Sequence, residues 1–189
     1  MYKFLKFLGL TLLVFCLVAC GDIERTGDTK DTKPEEEEVT TVSREEDTSK
    51  TKVQHLQEIS EYATTVSEVL SFISMAMGNL SDISSIVSET PQIVYSKEFS
   101  DSLNSNFDVF EVAIVRMSTE NVPEGYEEVN RLLIESFEIY ASARGDMFNG
   151  MLEMDVERIN RATVLLEEGS AVMQQANVEL LKVNAENGL

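Results

Sequence analysis

The amino-acid sequence predicts an all-α protein: an antiparallel up-down-up-down four-helix bundle that follows a disordered tether. After Leu56, apolar residues recur at steps of three and four in four successive segments, the spacing typical of helices with one buried face. Proline, glycine and cap residues separate these segments, and no alternating strand pattern longer than Gln92 to Tyr95 occurs. Because the connections are short, neighbouring helices are expected to be antiparallel.

The first nineteen residues have the features of a secretory signal. Lys3 and Lys6 precede a nearly uninterrupted apolar run, which is shorter than a membrane-spanning helix requires. The next residues, Leu17-Val18-Ala19-Cys20, resemble the lipobox of bacterial lipoproteins. This resemblance implies cleavage before Cys20, diacylation of its thiol and a lipid anchor at the extracytoplasmic face of the cell membrane. A Gram-positive surface is favoured. In a Gram-negative envelope, Gly21 after the cysteine, in place of the aspartate of the inner-membrane retention signal, would leave transport to the outer membrane possible.

Residues 20–49 are predicted to be the lipidated cysteine and a disordered acidic tether, and residues 50–189 the helical domain. From Gly21 to Glu38 the chain has one large apolar residue, Ile23, among acids, threonines and lysines. Such a segment buries too little apolar surface to offset its conformational entropy. About 140 residues then remain, which suffices for one domain with a hydrophobic core.

The first helix is predicted to run from near Leu56 to the residues before Thr90-Pro91, because a residue preceding proline leaves the helical region. Two rows of apolar residues run along this helix. The central row is Leu56, Ile59, Ala63, Val66, Leu70, Ile73, Met77, Leu80 and Val87, and a flanking row is Tyr62, Val69, Ala76 and Ile83. The central row is expected to face the core, with the flanking row beside it.

Cap signals predict the remaining helices. A second helix is expected from Ser96, its N-cap, to Thr119, and a third with Pro123 in its first turn. Either Asn149-Gly150 or Asp155 is expected to separate the third helix from the fourth, which ends near Asn187-Gly188. The glycines at 78, 145 and 169 fall inside helices, where either a kink or a close helix approach would explain them.

The composition excludes several classes of function. With 15 Lys and Arg against 34 Asp and Glu, the chain is too acidic to bind nucleic acid or anionic lipid headgroups. Cys16 lies in the signal and Cys20 at the lipid site, so the domain has no cysteine for a disulfide, a zinc site or catalysis. His55 is the only histidine. The sequence therefore predicts no metal, no cofactor and no enzymatic activity.

The tripeptide Arg144-Gly145-Asp146 matches one that some animal integrins bind, but recognition requires an exposed loop. Here it lies in a helical pattern, so Arg144 is expected to pair with an acid on its own or a neighbouring helix.

The leading hypothesis is a membrane-anchored, non-enzymatic module that binds another protein; the alternative is a carrier of an apolar small ligand within the bundle. Two turns are expected at the end far from the membrane, and both contain apolar residues where turns are normally polar. These candidate partner-binding residues are Ile93, Val94, Tyr95, Met151, Leu152 and Met154. They either fold over the end of the bundle as a cap or form an exposed patch.

Overall fold

The computed structural model describes the backbone of residues 42–189 and the side chains of residues 52–189. Residues Asp47–Leu189 form one compact unit. The elements are α1 (Val42–Glu89), a 3-10 helix (Pro91–Tyr95), α2 (Lys97–Thr119), α3 (Glu127–Ser142), α4 (Arg144–Glu153) and α5 (Val156–Glu186). Within residues 42–189 there are helices and no strands, so the predicted all-α class is confirmed.

Helix α1 begins earlier than expected. Its backbone is helical from Val42, so the first turns of α1 are residues 42–49, which the sequence assigned to the tether. Extending an existing helix by one residue is much easier than nucleating one, and Arg44, Glu45 and Glu46 in this stretch are good helix formers. The predicted end of the helix is confirmed, since α1 stops at Glu89, before Thr90-Pro91. The signal, Cys20 and the rest of the predicted tether lie outside the described residues.

The buried face of α1 is rotated from the predicted one. The flanking row, Tyr62, Val69, Ala76 and Ile83, is buried, and it alternates with Ile59, Val66, Ile73 and Leu80 to form the core side of the helix. From the predicted central row, Leu70 and Met77 are only half-buried and Ala63 is exposed. The two rows are both apolar, so the packing of the other helices decides which one is central.

The predicted N-cap of α2 is confirmed, because the Ser96 side chain accepts a hydrogen bond from the Phe99 backbone N–H at 3.1 Å. The predicted start of the third helix is wrong. Pro123 lies instead in a turn closed by the Tyr126 N–H, which donates to the Pro123 carbonyl at 3.0 Å, and α3 begins at Glu127. Gly125 takes a positive φ of 90° in this turn, a conformation that glycine adopts without steric cost.

The predicted third helix is divided at Ala143 into α3 and α4. The Ala143 N–H donates to the Tyr140 carbonyl, three residues back, so the helix tightens there before α4 begins. The fourth predicted helix is α5, and Asp155 is its N-cap: one carboxylate oxygen accepts hydrogen bonds from the N–H groups of Glu157 and Arg158. The segment Asn149-Gly150, the other predicted separator, lies within α4.

Polar contacts join the helices around a common core. Arg116 of α2 pairs with Glu68 of α1, and the Asn79 side-chain amide donates to Asn106 at 3.0 Å. Between α3 and α5, the Tyr126 hydroxyl donates to Asn184 at 2.7 Å. The core is mostly apolar, and within it the ring of Phe110 packs edge-to-face with Phe107 and tilted against Tyr140.

Gly169 lies where two helices approach each other closely. A Cβ atom at this position would lie 2.6 Å from the Tyr140 ring of α3, and the buried Ser136 hydroxyl donates to the Gly169 carbonyl at 2.8 Å. Close approach therefore explains Gly169, one of the two explanations considered. At Gly78 and Gly145 a Cβ would meet no atom within 4 Å, so packing does not explain these two glycines.

Within the described part of the chain, one helical stretch, Lys52–Glu89, is long and apolar enough to cross a membrane by length and composition alone. Only 28% of its most apolar window is buried inside the protein. The core helices of water-soluble proteins pass the same test, so this is weak evidence for a membrane span. It does show that α1 has much apolar surface outside the core.

Candidate functional site

The six candidate partner-binding residues lie on two elements that contact each other, the 3-10 helix and α4. The structure divides them into three pairs. Val94 and Met151 are buried, Ile93 and Leu152 are partly buried against the core, and Tyr95 and Met154 are exposed by 73% and 44%. The burial of Val94 and Met151 favours the first of the two alternatives, a cap over the end of the bundle, for these two residues. They cap the core because the 3-10 helix packs across this end of α2 and α4.

Local hydrogen bonds fix the position of Tyr95. Pro91 begins the 3-10 helix, the Ile93 N–H donates to the Thr90 carbonyl, and the Ser96 N–H donates to the Ile93 carbonyl. Ser96 then caps α2. With the backbone held on both sides of Tyr95 and Val94 buried beneath it, the tyrosine ring projects into solvent.

Met154 has an unusual backbone conformation. It is in the left-handed region, with φ 54° and ψ 33°, and it is the only non-glycine residue with positive φ in the described chain. The Asp155 N–H donates to the Gly150 carbonyl at 2.8 Å and the Met154 N–H to the Met151 carbonyl, which is the Schellman pattern of a helix end. Glycine is the usual residue at this position, because a side chain there costs about 1 kcal/mol.

Charges surround the exposed pair. Arg158 lies 3.8 Å from the Glu153 carboxylate and 3.6 Å from that of Asp155, so the cation next to Met154 is engaged by acids of its own chain. Lys97, two residues after Tyr95, forms a hydrogen-bonded ion pair with Asp101. The surface around the exposed apolar pair is therefore predominantly anionic.

Val156, exposed by 66%, extends this surface and was missed by sequence reasoning. It is the first residue of α5, directly after the Asp155 cap. The N-cap prediction contained the relevant signal, since side chains in a first helical turn often point away from the body of the domain. We call Tyr95, Met154 and Val156 the apolar end.

The tripeptide 144–146 is engaged within the protein. The Arg144 guanidinium donates to the Asn104 side chain and lies 2.9 Å from the carboxylates of Asp108 and Glu111, which confirms its predicted pairing with acids of a neighbouring helix. Asp146 accepts two hydrogen bonds from Arg161 of α5, and this interaction lowers the pKa of Asp146. Both charged side chains thus hold α4 against its neighbours.

An open groove of about 370 Å³ lies between α4 and α5. Its lining includes the Asp146–Arg161 pair, together with Val164, Leu165 and Glu168. Because the groove is open to solvent, it is not an enclosed apolar site, and the carboxylate of Asp146 in its lining is paired with Arg161.

Other chemically active groups are scattered. Among residues 52–189, no cluster of three or more His, Cys, Asp or Glu side chains could hold a metal ion. His55 is partly exposed on α1. Burial raises the pKa of the Tyr62 and Tyr140 hydroxyls. The Tyr62 hydroxyl donates to the Asn130 side chain, and the Tyr140 hydroxyl forms a hydrogen bond with that of Ser170. Cys20, the predicted lipidation site, lies outside the described residues.

No protein-family model, curated protein or solved structure matches the chain.

Proposed function

We propose that the chain is a membrane-anchored extracytoplasmic lipoprotein whose helical domain binds another protein and catalyses no reaction. The apolar run before Leu17-Val18-Ala19-Cys20 supports the anchor. The observation that carries the binding role is the apolar end: Met154 and Val156 are exposed at the capped α4–α5 junction, and Tyr95 is exposed on the 3-10 helix that contacts α4.

We further propose that the helices form an antiparallel up-down-up-down bundle, in which α3 and α4 together are the third member. The contacts support this arrangement. From α1 to α2, Glu68 pairs with Arg116 and Asn79 with Asn106, so positions rise along one helix as they fall along the other. From α3 to α5, Tyr126 bonds Asn184 and Ser136 bonds Gly169, again in opposite order.

In this arrangement the apolar end is far from the residues that lead to the anchor. The 3-10 helix follows α1 and the α4–α5 junction precedes α5, so both lie at the opposite end of the domain from the start of α1 and the chain terminus. A binding site there faces away from the membrane and is accessible to an external or envelope protein.

The conformation of Met154 supports a binding role for this residue. A methionine in a position that favours glycine lowers stability, and local strain of this kind is concentrated at functional sites. The side chain is 44% exposed, so its contacts within the domain do not account for it. Methionine is common at protein-binding surfaces because its flexible side chain adapts to different partners.

Substitution at Met154 separates binding from stability. Met154→Gly is expected to stabilise the domain by about 1 kcal/mol, because glycine adopts the left-handed conformation without cost. The same change is expected to weaken partner capture at least severalfold, more so together with Tyr95→Ser. Thermal unfolding and photo-cross-linking in the native envelope, with mass-spectrometric identification of the partner, measure the two effects.

The matched control is Val178→Ser, which removes an exposed valine from α5, away from the apolar end. It is expected to leave capture unchanged. If Met154→Gly and Tyr95→Ser together also leave capture unchanged, the apolar end is not the binding site.

Replacement of Cys20 tests the anchor separately. Cys20→Ala is expected to accumulate as the uncleaved precursor or to leave the membrane, because no thiol remains at the predicted acylation site. Membrane fractionation and the mass of the N-terminal peptide measure this. Normal cleavage and full membrane retention of the variant would contradict the lipoprotein assignment.

A further inference from the structure

The middle of α1 has no charged residue. From Val69 to Ser81 the helix contains only apolar, serine, glycine and asparagine residues, and Glu68 and Asp82 bracket this stretch. The whole chain has a formal net charge of −19. This stretch of α1 is the longest uncharged one among residues 52–189; the next, Gly169 to Val178 on α5, has ten residues.

Part of this stretch is apolar and faces solvent. Phe72 and Met75, three positions apart and so on the same side of α1, are exposed by 53% and 56%. They lie between Glu68 and Asn79, two α1 residues whose side chains form polar contacts with α2. On α2, Val112 lies in the sequence between Asn106 and Arg116, the partners of Asn79 and Glu68, and is also exposed. We call Phe72, Met75 and Val112 the α1–α2 face.

Next to the α1–α2 face, the solvent side of α1 is open and lined by small residues. Ser71 and Ser74 are exposed, and a Cβ at Gly78 would meet no atom within 4 Å. A second helix could therefore approach the backbone of α1 closely here, with Phe72 and Met75 as the larger contacts.

We propose that the α1–α2 face binds the same face of a second copy of this chain. Two copies that each have a charge of −19 repel each other in most orientations, because acidic side chains are brought together. Pairing the uncharged stretches of the two α1 helices about a twofold axis buries apolar surface without opposing acids at the centre, and on α2 the carboxylates of Asp108 and Glu111 beside Val112 are paired with Arg144. A twofold contact of one face with itself is also the commonest form of homo-oligomer.

The dimensions indicate a weak dimer. Thirteen helical residues span about 20 Å, and with the neighbouring strip of α2 the face covers roughly 400 Å² per copy. Stable complexes bury about 800 Å² per partner, so the contact belongs to the small, transient class. The dimer is expected to dissociate on dilution.

A lipid surface fits this face less well than a second copy. Helices that lie on membranes carry lysine and arginine beside their apolar side. The charged residues of α1 near this face are the acids Glu61, Glu68, Asp82 and Glu89, which anionic headgroups repel.

The test uses the full chain in its own cells. A photo-cross-linking amino acid, p-benzoylphenylalanine, is placed at Met75 in one of two differently tagged copies expressed together. We expect a product of twice the chain mass that contains both tags, with cross-links to residues 68–86 of the second copy. The same amino acid at Val178 of α5 is expected to give no such product. Cross-links from Met75 to lipid or to a different protein, or no cross-link, would overturn the proposal.

A charge substitution provides the second measurement. Phe72→Glu should reduce the cross-linked product from Met75 at least about tenfold, because two carboxylates then oppose each other across the contact. Leu181→Glu is the matched control: Leu181 is exposed by 54%, almost the same as Phe72, but lies on α5. The yield of the cross-linked product from Met75 should be unchanged in this variant. Equal yields from the two variants, with both folded by circular dichroism, would contradict the proposal.

Discussion

Helices α1 and α5 are the two longest elements of the described chain, with 48 and 31 residues, and both pack a row of apolar residues against the same core. Their solvent sides differ. Helix α5 has charged residues in its first and last parts, among them Arg161, Glu168 and Lys182, and an uncharged stretch of ten residues from Gly169 to Val178. The uncharged stretch of α1, from Val69 to Ser81, has thirteen. The comparison teaches that a periodic apolar pattern can predict a helix without identifying its inner side. Charges mark the outside over much of α5, but not over the middle of α1.

The largest expected effect tests which side of α1 is buried. Val69→Asp should unfold the domain, because it places a carboxylate in the apolar core at a cost of several kcal/mol. Leu70→Asp, one residue further, should reduce stability but leave a folded helical protein, since Leu70 is only half-buried. Thermal unfolding followed by circular dichroism distinguishes them. Equal loss of structure in both variants would show that the side of α1 described as buried is incorrect.

Substitution by alanine should change stability in opposite directions at Gly169 and Gly78. Gly169→Ala is expected to destabilise the domain by about 2 kcal/mol, because the added methyl group meets the Tyr140 ring, which is buried and bonded to Ser170 at 3.0 Å. Gly78→Ala should stabilise it by about 1 kcal/mol, because alanine favours the helix and its Cβ meets open space. Denaturant unfolding at low protein concentration measures both. Destabilisation by Gly78→Ala would mean that α1 contacts something at this position.

The smallest effect is expected on the charged outer surface. Arg131 bonds Glu128 and Glu135 on α3, and its hydrogen bonds lower the pKa of Glu128. All three side chains are exposed, and such pairs add little stability in water. Glu128→Ala should therefore leave the melting temperature nearly unchanged. A large decrease would show that this surface is covered by something in the native state.

Much of the fold could be predicted from the sequence where a local rule acts alone. The end of α1 at Glu89 and the caps Ser96 and Asp155 follow from proline geometry and from side-chain acceptors for free N–H groups. The start of α3 could not, because the positive φ of Gly125 and the burial of Pro123 turn that segment into a separate turn. The break at Ala143 has no signal in the local sequence.

The candidate site was predictable only in part. Sequence indicated that two turns contain unusual apolar residues, but not which of these are covered. Their exposure depends on how the 3-10 helix packs on α4, a contact between segments about fifty residues apart. Packing of this kind buries Val94 and Met151 and leaves Tyr95 and Met154 exposed, a division that no periodicity contains.

The exposed methionines make the two proposed contact surfaces sensitive to oxidants. Met75 lies on the α1–α2 face and Met154 at the apolar end, whereas Met117 and Met147 are shielded in the core. An oxidant from outside therefore reaches the first two sulfur atoms before the others. Sulfoxide formation makes a flexible apolar side chain polar. Oxidative damage would thus weaken association through these surfaces while the helical core stays intact, and methionine sulfoxide reductase activity would restore it.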